Sequence, residues 1–285
     1  MKIKAQLEPG KVAVITGGSS GIGKAIAIDL FKHGMDVWLV AQRIEILEST
    51  RKEVEAHRRN QNQKVEIISA DVSDLDQVKR TVKQVTESSG PPYLLVNSAG
   101  VTQPGYIQEQ DINIFRWMME VNYYGTLYMC KEVIPALINQ RSGYILNISS
   151  FAGYLGGFGY TAYGASKFAV RGFTEALRQE MKPFGIGVTI IYPSDTDTPQ
   201  LEYEKKFKPV ETEALANFAG AMSAAQVAEV ALKGIERGQY VIFPALEGKF
   251  WVQINRLSSS LLQFIIDLIV ADAVKKKNTA RQKEA

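Results

Sequence analysis

Seven short apolar runs recur along the chain, each separated from the next by a longer segment of helical periodicity. No other feature constrains the fold as much. The runs are KVAVITG, DVWLVAQ, VEIISAD, YLLVNSA, GYILNIS, GVTIIYP and YVIFP. Most are continuously apolar rather than alternating, as strands covered on both faces must be. The helical segments are Ile22 to His33, Ile44 to Arg59, Leu75 to Ser88, Ile112 to Ile138, Ala162 to Met181 and Ala225 to Arg237. Parallel strands need crossovers, and helices supply them. The expected fold is α/β: a doubly wound parallel sheet of about seven strands with helices on both faces.

At 285 residues the chain is long enough for one large domain of this kind. No linker rich in Gly, Ser or Pro divides it. Residues 1–245 are expected to form a single domain that includes an irregular zone at 194–220, with a tail at 246–285. Apolar residues make up 46% and charged residues 22%, an ordinary globular balance, and the net charge is +3 with the signs mixed. No arginine-rich stripe calls for nucleic acid. A single cysteine, Cys130, excludes an intrachain disulfide and suits a reducing, cytoplasmic setting. His33 and His57 lie in unrelated polar surroundings, so no metal site is expected. The opening stretch MKIKAQLEPGK has no apolar core, and neither signal peptide nor anchor is expected there. No run reaches the roughly 18 apolar residues of a membrane-spanning helix. The nearest, Leu261 to Ala271, is interrupted by Gln263 and Asp267.

The first strand runs into TGGSSGIG, Thr16 to Gly23, and a helix follows. Gly17, Gly21 and Gly23 allow positive φ and a close approach of backbone to phosphate. A helix starting near Ile22 aims free N–H groups and its positive end at the same place. Between a first strand and a first helix, such a triplet predicts a dinucleotide pyrophosphate. The second strand ends Ala41, Gln42, Arg43. No carboxylate stands there to bond a ribose 2′-hydroxyl, and the planar fork of Arg43 suits a 2′-phosphate. The expected cofactor is NADPH. Asp71 ends the third strand, where it can accept a bond from the adenine amino group. Asn97 ends the fourth in NSAG, facing the ligand crevice or forming a turn.

In AYGASKF, Tyr163 and Lys167 are four apart in a helical segment and so share one face. A phenol of pKa about 10 is a poor acid–base group at neutral pH, and a nearby ammonium lowers that value. The pair can give a proton to a carbonyl as hydride arrives. The preceding strand ends NISS, placing Ser149 and Ser150 on the same side of the sheet as the glycine loop. Asn122, in VNYYGT, sits inside a long helical segment although asparagine is a mediocre helix former.

TGGSSGIG, NSAG, the Asn of VNYYG, NISS and YGASK occur in this order, and together they resemble the short-chain dehydrogenase/reductase family from about Lys11 to Pro244. The resemblance implies a Rossmann-type fold and an NADP-binding reductase domain. It implies a catalytic tetrad of Asn122, Ser150, Tyr163 and Lys167. Tyr163 is then the proton donor, Lys167 binds the nicotinamide ribose, and Ser150 bonds the substrate carbonyl. Asn122 holds a water in a relay ending at Lys167. Ser150 lies 13 residues before Tyr163, as in many members, with Ser149 as the fallback. Cofactor contacts are implied at Gly17, Ser19, Ser20, Gly21, Ile22 and Gly23 in the loop, at Arg43, Asp71 and Val72, and at Asn97, Ala99 and Gly100. Others fall at Tyr163, Lys167, Pro193, Thr196 and Thr198. Dimers or tetramers built on the Asn122 and Tyr163 helices are implied as well.

The sixth strand ends in YPSDTDTPQ, where Ser194 replaces the family's glycine. In the family this loop becomes a lid over nicotinamide and substrate, here residues 194–220. GFGYTAYGASKFAVRG, YPSDTDTPQ and FKPVETEAL are similar to the 3-ketodihydrosphingosine reductases, which reduce a long-chain sphingoid ketone with NADPH. Tyr154, Leu155, Phe158, Tyr160, Phe207, Leu215 and Phe218 are candidates for an apolar channel. Other substrates of the family remain open: a steroid, a retinoid or a 3-ketoacyl thioester, the last favoured by Lys205, Lys206 and Lys208 in the lid. A non-catalytic NADPH-binding module is the rival from another class. In the tail, Ile254, Leu257, Leu261, Ile265, Leu268 and Asp272 recur at three-to-four spacing, followed by Lys275, Lys276 and Lys277. An amphipathic helix with basic flanks is expected, lying peripherally on the cytoplasmic face of an anionic membrane or packed on protein.

Overall fold

The computed structural model describes residues 2–216 and 221–284, with side chains through residue 279. Phe218, one of the channel candidates, lies outside the described residues. All seven apolar runs are strands of one parallel sheet: β1 (Val12–Thr16), β2 (Asp36–Ala41), β3 (Val65–Ser69), β4 (Leu94–Asn97), β5 (Gly143–Ile148), β6 (Ile186–Ile191) and a two-residue β9 (Val241–Ile242). Their order is β3-β2-β1-β4-β5-β6-β9. The order reverses between β1 and β4, which opens a crevice at their carboxyl ends.

The strands bury both faces. Ala13 and Ile15 of β1 join a core with α1 (Gly21–Lys32), α2 (Ile44–Glu55) and α9 (Ala224–Glu236). Val12 and Val14 point the other way, into a core with α3 (Leu75–Ser89), α5 (Gly125–Gln140) and α6 (Thr161–Met181). Each fully buried Val, Ile or Leu contributes about 1.5–3 kcal/mol, so two-sided burial holds the central strands rigid. Cys130 is buried in the second core as a free thiol, pushed up to about 12 by burial.

The structure departs from the expected elements in three places. The segment 112–138 is not one helix. It is α4 (Ile112–Met118) and α5, joined by a π-helical turn, Met119–Tyr124, that contains Asn122. Such wide turns interrupt the regular ladder and often mark functional positions. The zone 194–220 is largely ordered into α7 (Pro199–Glu204), α8 (Val210–Ala216) and a short β7 (Thr196–Asp197) paired to β8 (Met222–Ser223).

The tail is two helices, α10 (Leu246–Leu257) and α11 (Ser259–Glu284), broken at Ser258, whose backbone is extended. α11 packs along α8 and α10. Leu262 and Ala273 are buried on its inner side, whereas Leu261, Phe264 and Leu268 stand exposed on the other. The stripe expected through Leu257, Leu261 and Leu268 is the outer one, as a surface-lying face requires. Lys277 ties the helix down, donating to the Tyr106 hydroxyl at 2.6 Å and pairing with Glu211 at 3.5 Å. Among the described residues no helix is long and apolar enough to cross a membrane.

Candidate active site

A cavity of about 470 Å³ runs from the glycine loop, past the ends of β4 and β5, to the inner side of α11. Its near end is the turn between β1 and α1. Gly17 has φ +64°, and a Cβ there would sit 2.8 Å from the backbone of Ser98 and Ala99. Gly21 has φ +54°, with Thr198 of the lid 3.0 Å from where its Cβ would be. Only glycine meets both demands, and the backbone left bare faces the cavity as a phosphate cradle requires. Ser19, Ser20 and Ile22 complete this wall. Gly23 lies behind it; a side chain there would collide with the carbonyl of Gly17.

Arg43 is exposed on the cavity rim, two residues after β2, and forms no ion pair among the described residues. Val72, Ala99 and Gly100 line the next part of the wall. Asp71 and Asn97 do not. Asp71 Oδ1 accepts from the Ser73 amide and hydroxyl, at 2.8 and 2.6 Å. The Asn97 amide is buried, donating to Asn147 Oδ1 at 2.9 Å, and its own carbonyl oxygen has no partner among the described residues.

The four groups of the expected tetrad converge at the centre. Tyr163 and Lys167 lie one turn apart on α6, both buried, with Lys167 Nζ 5.9 Å from the Tyr163 ring centre. Lys167 Nζ donates to the Ile148 carbonyl at 3.0 Å. The two serines part company. Ser149 donates into the backbone of α6 at Lys167 O, 3.1 Å away, while Ser150, whose hydroxyl accepts from the Ala152 amide at 3.2 Å, faces the cavity beside the Tyr163 phenol. Asn122 stands one layer back: Oδ1 accepts from the Val101 amide at 2.8 Å, and Nδ2 donates to Val101 O and Ser166 Oγ, both at 2.9 Å. It is nevertheless near the lysine, since Asn122 Oδ1 and Lys167 Nζ each lie 3.3 Å from the Cβ that Gly100 lacks.

The electrostatics differ from the expectation that Lys167 lowers the Tyr163 pKa. Burial raises the phenol above its ordinary range, and the charges of Glu204 and Asp195 add to this against the smaller lowering effect of the Ser150 and Gln200 side chains. Lys167 is itself brought down to about 8 by burial. Desolvation opposes both charged forms.

The roof is the lid. Pro193, Thr196 and Thr198 line the cavity as expected, and Thr198 caps α7 by accepting from the Leu201 amide at 3.3 Å. Ser194 fits without strain, because no non-glycine residue except Arg141 has positive φ among the described residues. Leu155, Phe158, Tyr160 and Leu215 line the far part of the cavity. Tyr154 does not; it packs under β6 against Tyr192 and Phe243. Phe207 is exposed and packs against the Tyr203 ring at a tilt of 50°. Sequence reasoning missed two parts of the wall. One is polar: Asp195, Gln200 and Glu204, although the first two stand in YPSDTDTPQ. The other is apolar: Trp251 of α10 with Leu262, Ile266 and Ile269 of α11. The 4, 3 spacing of those α11 residues was visible as a second stripe beside the one that was read.

Comparison with known proteins agrees with this geometry. Residues 11–209 match the family model described as short chain dehydrogenase. A 3-dehydrosphinganine reductase from Danio rerio is 46% identical over 232 residues, covering 81% of this chain and 70% of that protein. A 3-ketodihydrosphingosine reductase from Mus musculus is 44% identical over 233 residues, with the same coverage of 81% and 70%. Among solved structures, a short chain dehydrogenase/reductase from Burkholderia phymatum in complex with NAD superposes with a TM-score of 0.80 at 25% identity, covering 90% of this chain and 96% of that one. Levodione reductase superposes with a TM-score of 0.76 at 26% identity, covering 84% and 97%.

Proposed function

The chain belongs to the short chain dehydrogenase family, and from that premise we propose that it reduces 3-ketosphinganine to sphinganine with NADPH. The observation that carries the reading is the continuity of the cavity. One space joins a phosphate cradle at Gly17, a buried Tyr163–Lys167 pair with Ser150 beside it, and an apolar wall built by Leu155, Phe158, Leu215, Leu262, Ile266 and Ile269. A long-chain ketone needs all three parts.

Bound NADPH supplies the hydride that reaches the carbonyl carbon. The glycine loop holds its pyrophosphate, and Arg43 pairs its 2′-phosphate; no acid stands at the end of β2 to select the 2′-hydroxyl instead. Lys167 holds the nicotinamide ribose. Ser150 donates a hydrogen bond to the carbonyl oxygen, and the Tyr163 hydroxyl gives that oxygen its proton. A phenol with a raised pKa stays protonated at neutral pH, which suits the reductive direction. Asn122 supports the resupply of that proton through water beside Lys167. Residues 1–245 act as the reductase domain, the lid at 194–220 closes over the reacting groups, and 246–285 complete the acyl wall. In this reading the protein is a homodimer or homotetramer. It associates peripherally with the cytoplasmic face of a membrane through the exposed Leu261, Phe264 and Leu268, with Lys275 and Lys276 nearby. Co-sedimentation with anionic vesicles, abolished by salt and by Phe264→Asp, is the expected sign of that contact.

The direct test follows NADPH oxidation at 340 nm with 3-ketosphinganine in detergent micelles, beside NADH and a 3-ketoacyl thioester. Turnover is expected with the sphingoid ketone and NADPH. Activity confined to the thioester would leave the family membership standing and overturn the substrate. Equal efficiency with NADH would overturn the role of Arg43.

A further inference from the structure

The lid wall facing Tyr163 carries an acid that proton and hydride transfer do not use. Glu204, the last residue of α7, is only 6% exposed and lines the cavity. Its carboxylate accepts from the Tyr160 hydroxyl at 2.8 Å. Gln200, one turn before Glu204, lines the same cavity as both groups, and its amide weighs on the Glu204 carboxyl and the Tyr163 phenol alike. The ring of Tyr160 is 5.6 Å from that of Tyr163, which closes the same short circuit from the other side.

The neighbouring acid is already satisfied. Asp195 pairs with Lys208 at 2.9 Å, whereas Glu204 forms no ion pair among the described residues. Burying a carboxylate without a cation is costly, and an apolar residue of similar size would pack the lid at lower cost. Burial raises the Glu204 pKa, and the Tyr160 hydrogen bond and the more distant Lys208 only offset this. The wall therefore holds a buried acid with no cation of its own beside the place where the carbonyl must sit.

3-Ketosphinganine carries a primary amine on the carbon next to its ketone. With the carbonyl oxygen at Tyr163 and Ser150, the amine stands on the carbon bonded to the reacting carbon, in the part of the cavity that Gln200 and Glu204 also line. Building on the substrate reading above, we propose that Glu204 pairs with the substrate's 2-ammonium group and selects α-amino ketones over ketones without the amine. Loss of one partner from a desolvated charge pair, or of a group the site is built to bond, costs far more than loss of a methylene.

The experiment compares kcat/KM for 3-ketosphinganine and its des-amino analogue, 1-hydroxyoctadecan-3-one, in the full-length wild type, E204Q and E204D, each checked for NADPH binding by fluorescence. The wild type is expected to prefer the amino ketone by about 10²-fold. E204Q, which keeps the shape and removes the charge, brings that ratio to within about threefold of unity, and E204D restores part of it. A wild-type ratio near unity overturns the proposal without any variant. So does an E204Q ratio equal to the wild type's, which would leave Glu204 as an anchor for Tyr160. If the wild type turns over neither ketone, the substrate reading itself fails and this inference falls with it.

Discussion

The reacting carbonyl is met from below by groups on strand ends and a single helix, and from above by groups gathered from far along the chain. Below, Ser150 follows β5 by two residues and Tyr163 and Lys167 are one turn apart on α6, all held by the two-sided burial of the central sheet. Above, Asp195, Gln200 and Glu204 come from the lid, and Leu262, Ile266 and Ile269 from a helix about a hundred residues after α6 begins. The floor presents chemistry that any carbonyl can use. The roof presents one unpaired acid and a long apolar wall, features that matter only to particular substrates. Rate should therefore depend on the floor and selectivity on the roof.

The sharpest way to break that division is to remove the proton donor. Tyr163→Phe keeps the ring in its buried contacts with Met118 and Ala162 and deletes only the hydroxyl. A loss in kcat of about 10³-fold or more is expected for every ketone tested, with NADPH affinity changed by less than about threefold. Stopped-flow turnover and fluorescence titration check the two halves. A substrate-dependent loss would mean that the phenol selects as well as donates, and the floor and roof would no longer be separable.

A roof substitution should do the opposite. Ile266→Ala with Ile269→Ala removes apolar surface from the far wall without touching Tyr163 or the glycine loop. Each change deletes three carbons, and partial contact with an acyl chain makes the pair worth about 1–2 kcal/mol of binding. KM for the long-chain ketone is expected to rise about tenfold with kcat little altered, while a six-carbon analogue, too short to reach α11, is unaffected. Equal effects on both chain lengths would show that α11 supports the fold of the lid rather than the substrate.

The same division explains what could be read from the sequence. The seven strands, their parallel order and the floor residues follow from local patterns: continuous apolar runs, a glycine loop after β1, and a four-residue spacing on one helix. The split of segment 112–138 by a π turn left no such trace, because Asn122 costs a helix little and is satisfied only through Val101 and Ser166. Asp71 and Asn97 stand at the right strand ends, but their side chains turn to Ser73 and Asn147, and strand position does not dictate rotamer. The roof depends on where α10 and α11 fold back. Two apolar stripes on α11 were both legible, and nothing local says which faces inward. Glu204 was invisible for the same reason, since a charged residue on a short lid helix is ordinarily solvated.

The smallest effect separates the two buried groups of the floor from each other. Because kcat/KM reports ionisations of the free enzyme, its pH profile should fall as Lys167 loses its proton through about 8. Below that value the ammonium is present; above it the ribose loses its charged donor. The expected decline is about fourfold between roughly pH 7 and 8.5. Tyr163, raised by burial and by Glu204, stays protonated across this window and adds nothing to the limb. Lys167→Arg keeps a cation that cannot titrate there, so whatever its absolute rate, its profile should be flat where the wild type falls. A limb that persists in Lys167→Arg would assign it to the phenol. Tyr163 would then be poised near neutrality, and the floor would be equipped for oxidation as well as reduction.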